Sequence, residues 1–180
     1  MMRGSGHSGR DPVSERENMT ENIMVLGVGN ILYRDDGVGI RVVERLEGRY
    51  DFSDNVTLVD GGVLGVNLLG IIAGADNLIV VDTVMNHGAP GDFHRLEHED
   101  IPNRILAKNS LHQVDLIEAL TLCHALDHVP RTTIIGIEPK DLNTLGEDLT
   151  PEIESRLDGL TDLVLDEVKR LGGTYSLKAS

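Results

Sequence analysis

Short aliphatic runs divide the chain, and each ends on residues that stop a strand. Ile-Met-Val-Leu-Gly-Val at 23–28 leads into Gly29-Asn30, the run at 56–59 into Asp60-Gly61-Gly62, 77–81 directly onto Asp82, and 131–137 onto Glu138-Pro139. Continuous apolar runs of this length, bounded by turn formers, predict strands buried on both faces, as in a parallel sheet. Elsewhere the spacing becomes helical. Val38, Val42, Val43 and Leu46, with Arg41, Glu44 and Arg45 outward, predict a helix opening at Gly37, with Asp35 or Asp36 placed to cap it. A short, nearly all-apolar helix is expected over 66–73. Another should run from Ser110, a suitable N-cap, through Val114, Leu116, Ile117, Leu120 and Leu122 to about His124. Thr150-Pro151-Glu152 opens a closing helix whose Ile153, Leu157, Leu160, Val164 and Val168 form one stripe. Residues 91–96, after a turn at 86–90, are expected to pair back antiparallel as an edge strand. The alternation predicts a three-layer α/β/α domain with a mostly parallel sheet.

Composition narrows what such a domain does. Lys and Arg total 16 against 30 Asp and Glu, a net charge of −14, so the summed field repels phosphate and anionic lipid. Neither nucleic acid nor a membrane surface is expected as a partner. The longest apolar stretches, such as 68–75, are far shorter than the roughly 18 to 20 residues that cross a bilayer. The single cysteine, Cys123, forms no internal disulfide and no multi-thiolate site; it reads as a small core residue in a cytoplasmic protein. Residues 1–22 lack the apolar region of a secretory signal and are expected as a flexible extension, with Met19 an alternative start. A single domain is expected over 23–172 and a tail over 173–180, with no internal repeat or linker.

In open α/β sheets, ligands gather beyond the carboxyl ends of the strands. Gly27-x-Gly29 after a strand suggests a nucleotide loop. However, the dinucleotide fingerprint needs glycine where Leu32 stands, and no Gly-Lys-Ser/Thr sequence is present for a triphosphate. Asp35 and Asp36 would also lie where a pyrophosphate belongs. Strand ends here carry acids instead, and carboxylates that repel one another are satisfied by a cation between them. Asp36, Asp82 and a histidine would offer two hard oxygens and one imidazole nitrogen, a set that a first-row divalent ion accepts with positions left open. His112, in the first turn of the helix from Ser110, is the histidine chosen. His7 lies in the extension, His87, His94 and His98 in turn or edge-strand segments, and His124 and His128 around the end of that helix, all places where solvated side chains are expected. Each residue alone has a plainer reading: Asp36 as a helix cap, Asp82 as a polar strand end, His112 as a surface residue. The conjunction is what favours a metal. Ser110 and His112 lack the nucleophile elbow of a serine hydrolase.

The blocks Val25-Leu26-Gly27-Val28-Gly29-Asn30-Ile31-Leu32, Asp35-Asp36-Gly37-Val38-Gly39, Asp60-Gly61-Gly62, Val80-Val81-Asp82, Ser110-Leu111-His112-Gln113 and Gly136-Ile137-Glu138-Pro139 together resemble the nickel-iron hydrogenase maturation endopeptidases. The likeness runs in order over about Met24 to Val168. It implies a phosphorylase/hydrolase-like fold with a mixed five-stranded sheet, one strand antiparallel. It also implies an enzyme that removes a C-terminal extension from the hydrogenase large subunit precursor once nickel has been inserted. The family's metal-contacting triad maps onto Asp36, where the family admits Asp or Glu, and onto Asp82 and His112. The nickel would arrive with the substrate, held by the client's thiolates, so that completing its coordination shell selects the loaded precursor. Asp60 is a further candidate, as general base, and equally reads as the polar cap of its Gly-Gly turn. A hydrolase with its own divalent metal and a non-catalytic nickel-sensing chaperone or adaptor are the alternatives. A monomer is expected, docking its client through the edge strand at 91–96 and the loops 86–90 and 97–103.

Overall fold

The computed structural model describes residues 20–62, 70, 72, 74–97 and 129–179. β1 (Ile23–Val28) is buried along its whole length, as its unbroken apolar run requires. A single 3-10 turn (Arg34–Gly37) and α1 (Val38–Arg49) follow, then β2 (Tyr50–Phe52), β3 (Val56–Gly62), β4 (Asn77–Thr83), β5 (Phe93–Glu97) and β6 (Arg131–Ile137). The chain closes with α2 (Pro151–Glu154), α3 (Leu157–Arg170) and β7 (Tyr175–Leu177). The main sheet has five strands in the order β3-β1-β4-β6-β5. β1, β3, β4 and β6 are mutually parallel, while β5 pairs antiparallel with β6 at the edge.

Two apolar clusters sandwich the sheet. Ile23, Val25, Ile79, Val81, Ile135 and Ile137 point toward α1 and α3, whose Val42, Leu46, Leu160 and Val164 are fully buried. Alternate residues Met24, Leu26, Leu78, Val80 and Ile134 pack on the other face with Ile72 and Leu96. Of the helix expected at 66–73, Gly70 and Ile72 are described and are helical. The helix expected from Ser110 to His124, with Cys123, lies outside the described residues. Among the described residues no helix is long and apolar enough to cross a membrane.

Several boundaries differ from expectation for identifiable reasons. β3 continues through Asp60-Gly61-Gly62, because a bulge between Gly27 and Val28 lets Val28 pair with Gly62. β4 runs through Asp82, which faces Gly136 in the ladder and does not stand in a loop. The closing helix is two helices. Ser155 Oγ donates to Glu152 O at 2.8 Å, and Arg156 turns its Nε toward Gly91 O at 3.2 Å, so local bonds interrupt the ladder while the apolar stripe stays buried. Residues 175–177, expected as part of a tail, form β7. It pairs with β2 and brings Tyr175 against Tyr50 and Phe52, ring centroids 5.3 and 5.9 Å apart. Of the expected extension 1–22, residues 20–22 are described, and Asn22 N donates to Asp76 Oδ2 at 2.8 Å.

Buried Glu167 on α3 ties that helix to β5. Burial alone would raise its carboxyl, but hydrogen bonds from Arg170 and Arg95 outweigh this and hold it down to about 2. With the folded-state value depressed, the stabilisation is complete above the unfolded value near 4.5 and is lost as pH falls toward 2. It amounts to no more than roughly 3 kcal/mol. Glu167→Gln is expected to flatten the acid limb of a urea-denaturation series across that window. An unchanged slope would remove Glu167 from the acid sensitivity.

Candidate active site at the carboxyl end of the sheet

The chain leaves β1 toward β3 on one side and, later, toward β4 on the other, so the strand order reverses between β1 and β4. A crevice opens at such a reversal, beyond the carboxyl ends of the strands. The segment after β1 and the end of β4 flank it, and these carry Asp36 and Asp82.

Glycines set how closely the first segment seats. A methyl group on Gly39, in the first turn of α1, would lie 2.2 Å from Val81 O and 2.4 Å from Val28 O. One on Gly29 (φ 139°) would lie 1.8 Å from Asp36 O. No side chain fits, so the start of α1 and the turn before it rest directly on β1 and β4. The Gly27-x-Gly29 pair, which fails as a phosphate loop, is therefore a close-packing device. Gly27 faces Gly39 O, which a methyl group would approach to 2.4 Å.

The two adjacent aspartates of the turn divide their tasks. Asp35 is wholly buried. Its Oδ1 accepts from Thr150 N at 2.7 Å, and its Oδ2 from Lys140 N, Asp141 N and Thr150 Oγ1 at 3.0, 2.9 and 3.0 Å. It binds the turn to the loop after β6 and to the start of α2. Neither aspartate caps α1, whose N-cap is Gly37 without a side-chain bond; the 3-10 turn displaces both from that position. Asp36, next in sequence, is half-buried. The turn is fixed from outside as well: Arg34, at φ 42° in the left-handed region, donates its N–H to Gly146 O at 2.7 Å.

Asp82 is 6% exposed, and its Oδ1 accepts from Thr83 N at 2.7 Å. It lies on the face of the sheet shared by Leu78 and Val80. Asp60 sits level with Gly27 and Val81, and alternation carries it to the opposite, α1-side face. There it is exposed and its Oδ1 accepts from Gly62 N at 2.9 Å, the geometry of a turn-forming carboxylate. Asp36, in the turn after β1, and Asp82, at the end of β4, thus stand on the two segments that flank the crevice, while Asp60 lies on the face of the sheet that carries α1. His112 lies outside the described residues. Among those described, no three His, Cys, Asp or Glu side chains form a metal-holding group.

A buried pair missed by sequence reasoning stands next to this rim. Glu138 Oε2 accepts from Asn86 N at 2.8 Å and meets His94 Nε2 at 2.9 Å. His94, expected in solvent, has a side chain only 13% exposed. Glu138 follows β6 as Asp82 closes β4, so the strand-end rule that selected Asp82 also points to it. The pair fastens the loop leaving β4 to the end of β6.

An α/β domain with aspartates on both segments that flank its topological switch point is the class of protein so defined. A family model described as HycI, hydrogenase maturation protease, matches residues 40–167. The hydrogenase 2 maturation protease of Escherichia coli is 37% identical over 153 residues, 83% of this chain and 92% of that protein. The hydrogenase expression/formation protein HupD of Thiocapsa roseopersicina is 37% identical over 152 residues, 83% of this chain and 69% of that one. Among solved structures, the hydrogenase maturating endopeptidase HybD of E. coli superposes with a TM-score of 0.83 at 35% identity, covering 87% of this chain and 98% of that one. The chain belongs to the hydrogenase maturation protease family and shares the fold of its endopeptidases.

Proposed function

We propose that this endopeptidase acts as a cytoplasmic monomer on the large subunit precursor of a nickel-iron hydrogenase, and that it recognises the nickel of its substrate through Asp36, Asp82 and His112. The observation that carries the reading is that Asp36, after β1, and Asp82, at the end of β4, stand on the segments flanking the topological switch point. Carboxylate oxygens and an imidazole suit an ion already bound to thiolates, and a nickel-free precursor would lack the centre they grip. The chain's one cysteine agrees with this division, since the client supplies the sulfur ligands. Nickel is here part of the substrate and selects the loaded precursor before the peptide bond is cut.

Purified precursor, with and without nickel, incubated with this protein and weighed intact, tests the reading. Loss of a C-terminal peptide from the nickel-loaded form alone is the expected result. Equal cleavage of both forms would remove nickel recognition, and an unchanged mass in both would remove the substrate assignment.

A further inference from the structure

A second surface adjoins the crevice and has no part in the reading so far. Ile31, Leu32 and Tyr33, between β1 and the 3-10 turn, are 37%, 52% and 38% exposed, and Leu145 is 70% exposed. These residues come from distant parts of the chain yet form one platform. Tyr33 and Gly146 form a parallel bridge, with Gly146 N donating to Leu32 O at 2.9 Å and Arg34 N to Gly146 O at 2.7 Å. Leu32 and Leu145 are therefore neighbours, held by backbone bonds on both sides. Large exposed apolar side chains grouped this way mark interaction sites more often than scattered ones do.

The platform is continuous with the crevice. Asp36 N donates to Tyr33 O at 3.0 Å, and Asn30 N to Asp36 O at 3.2 Å, so the segment that bears Leu32 also positions Asp36. The border carries exposed Glu147 and Asp148 directly after Leu145 and Gly146, while its two arginines are already engaged, Arg34 with Asp141 and Arg41 with Glu44 and Glu147 O. The edge strand β5, expected to serve for docking, is less suited. Leu96 is buried, His94 is engaged with Glu138, and Arg95 with Glu97 and Glu167.

We infer that Leu32 and Leu145, with Ile31 and Tyr33, form the docking platform for an extended segment of the precursor beside its cleavage point, one that presents apolar side chains to the platform and basic residues to its acidic border. This rests on the proposed substrate, and the test separates the two. Binding of nickel-loaded precursor is measured by titration, and cleavage by intact mass, for wild type, Leu32→Asp, Leu145→Asp and the control Leu177→Asp. Leu177 is 73% exposed on β7, beside the C-terminal end of α1 and away from the crevice. Each platform variant is expected to raise Kd and KM by about tenfold with kcat within about twofold, while the control stays at wild-type values. Wild-type Kd should weaken with added salt as the acidic border is screened. Leu32→Ser and Leu145→Ser replace any aspartate variant whose circular dichroism departs from wild type. Unchanged affinity in both platform variants overturns the platform even if cleavage proceeds. Binding without cleavage, weakened by the same variants, sustains the platform and overturns only the proposed activity. No binding by the wild type overturns both.

Discussion

Asp36→Asn should lower processing of the nickel-loaded precursor by at least about 100-fold while the protein remains folded. The substitution keeps the size of the side chain and removes its charge. The charge is what a metal ligand contributes, and a neutral amide is a far poorer donor to a divalent ion. Folding should tolerate it, because the side chain is half-buried and α1 does not depend on it for a cap. Single-turnover cleavage, followed beside a thermal melt, distinguishes the two effects. Asp36→Glu should keep much of the activity, since a longer side chain still offers a charged carboxylate oxygen. Wild-type rates in the Asn variant would end the assignment of Asp36 as a nickel contact, and His112→Ala is open to the same assay.

One residue earlier, loss of the carboxylate should act on stability instead of on processing alone. Asp35→Ala leaves three backbone N–H groups and the Thr150 hydroxyl without the acceptor they share, in a place solvent does not reach. Stranding several buried donors costs about 3 to 5 kcal/mol. For a chain of this length that corresponds to a fall in Tm of roughly 6 to 20 °C. Thermal unfolding by circular dichroism should show it with no nickel or precursor present. A drop of less than about 2 °C would mean that Asp35 is not the tie between the turn and the loop after β6.

This contrast shows how far the sequence was legible. Aliphatic runs pointed to β1, β3, β4 and β6, and the turn at 86–90 to the edge strand β5, because an apolar run and a turn former are local patterns. The separate roles of Asp35 and Asp36 were not legible. They depend on Lys140, Asp141 and Thr150, more than 100 residues away in sequence. For the same reason His94 was taken for a solvated residue, since its partner Glu138 lies 44 residues on. The pairing of β2 with β7 also escaped notice, because a three-residue strand has no periodicity of its own and forms only when a distant partner arrives. Asp60 and Asp82 occupy like positions in sequence, and only the parity of the strands shows that they stand on opposite faces of the sheet.

The direct contact of α1 and its preceding turn with β1 and β4 also bears on how this molecule can change over time. Where two elements meet through interlocking side chains, every exchange of Val for Ile or Leu resets their spacing. Here main chain meets main chain through Gly27, Gly29 and Gly39, so the station of Asp36 is indifferent to the size of neighbouring aliphatic groups. The interior can drift while the seat of the turn that bears Asp36 stays fixed. The burden of keeping that seat falls on a few positions that admit no side chain at all.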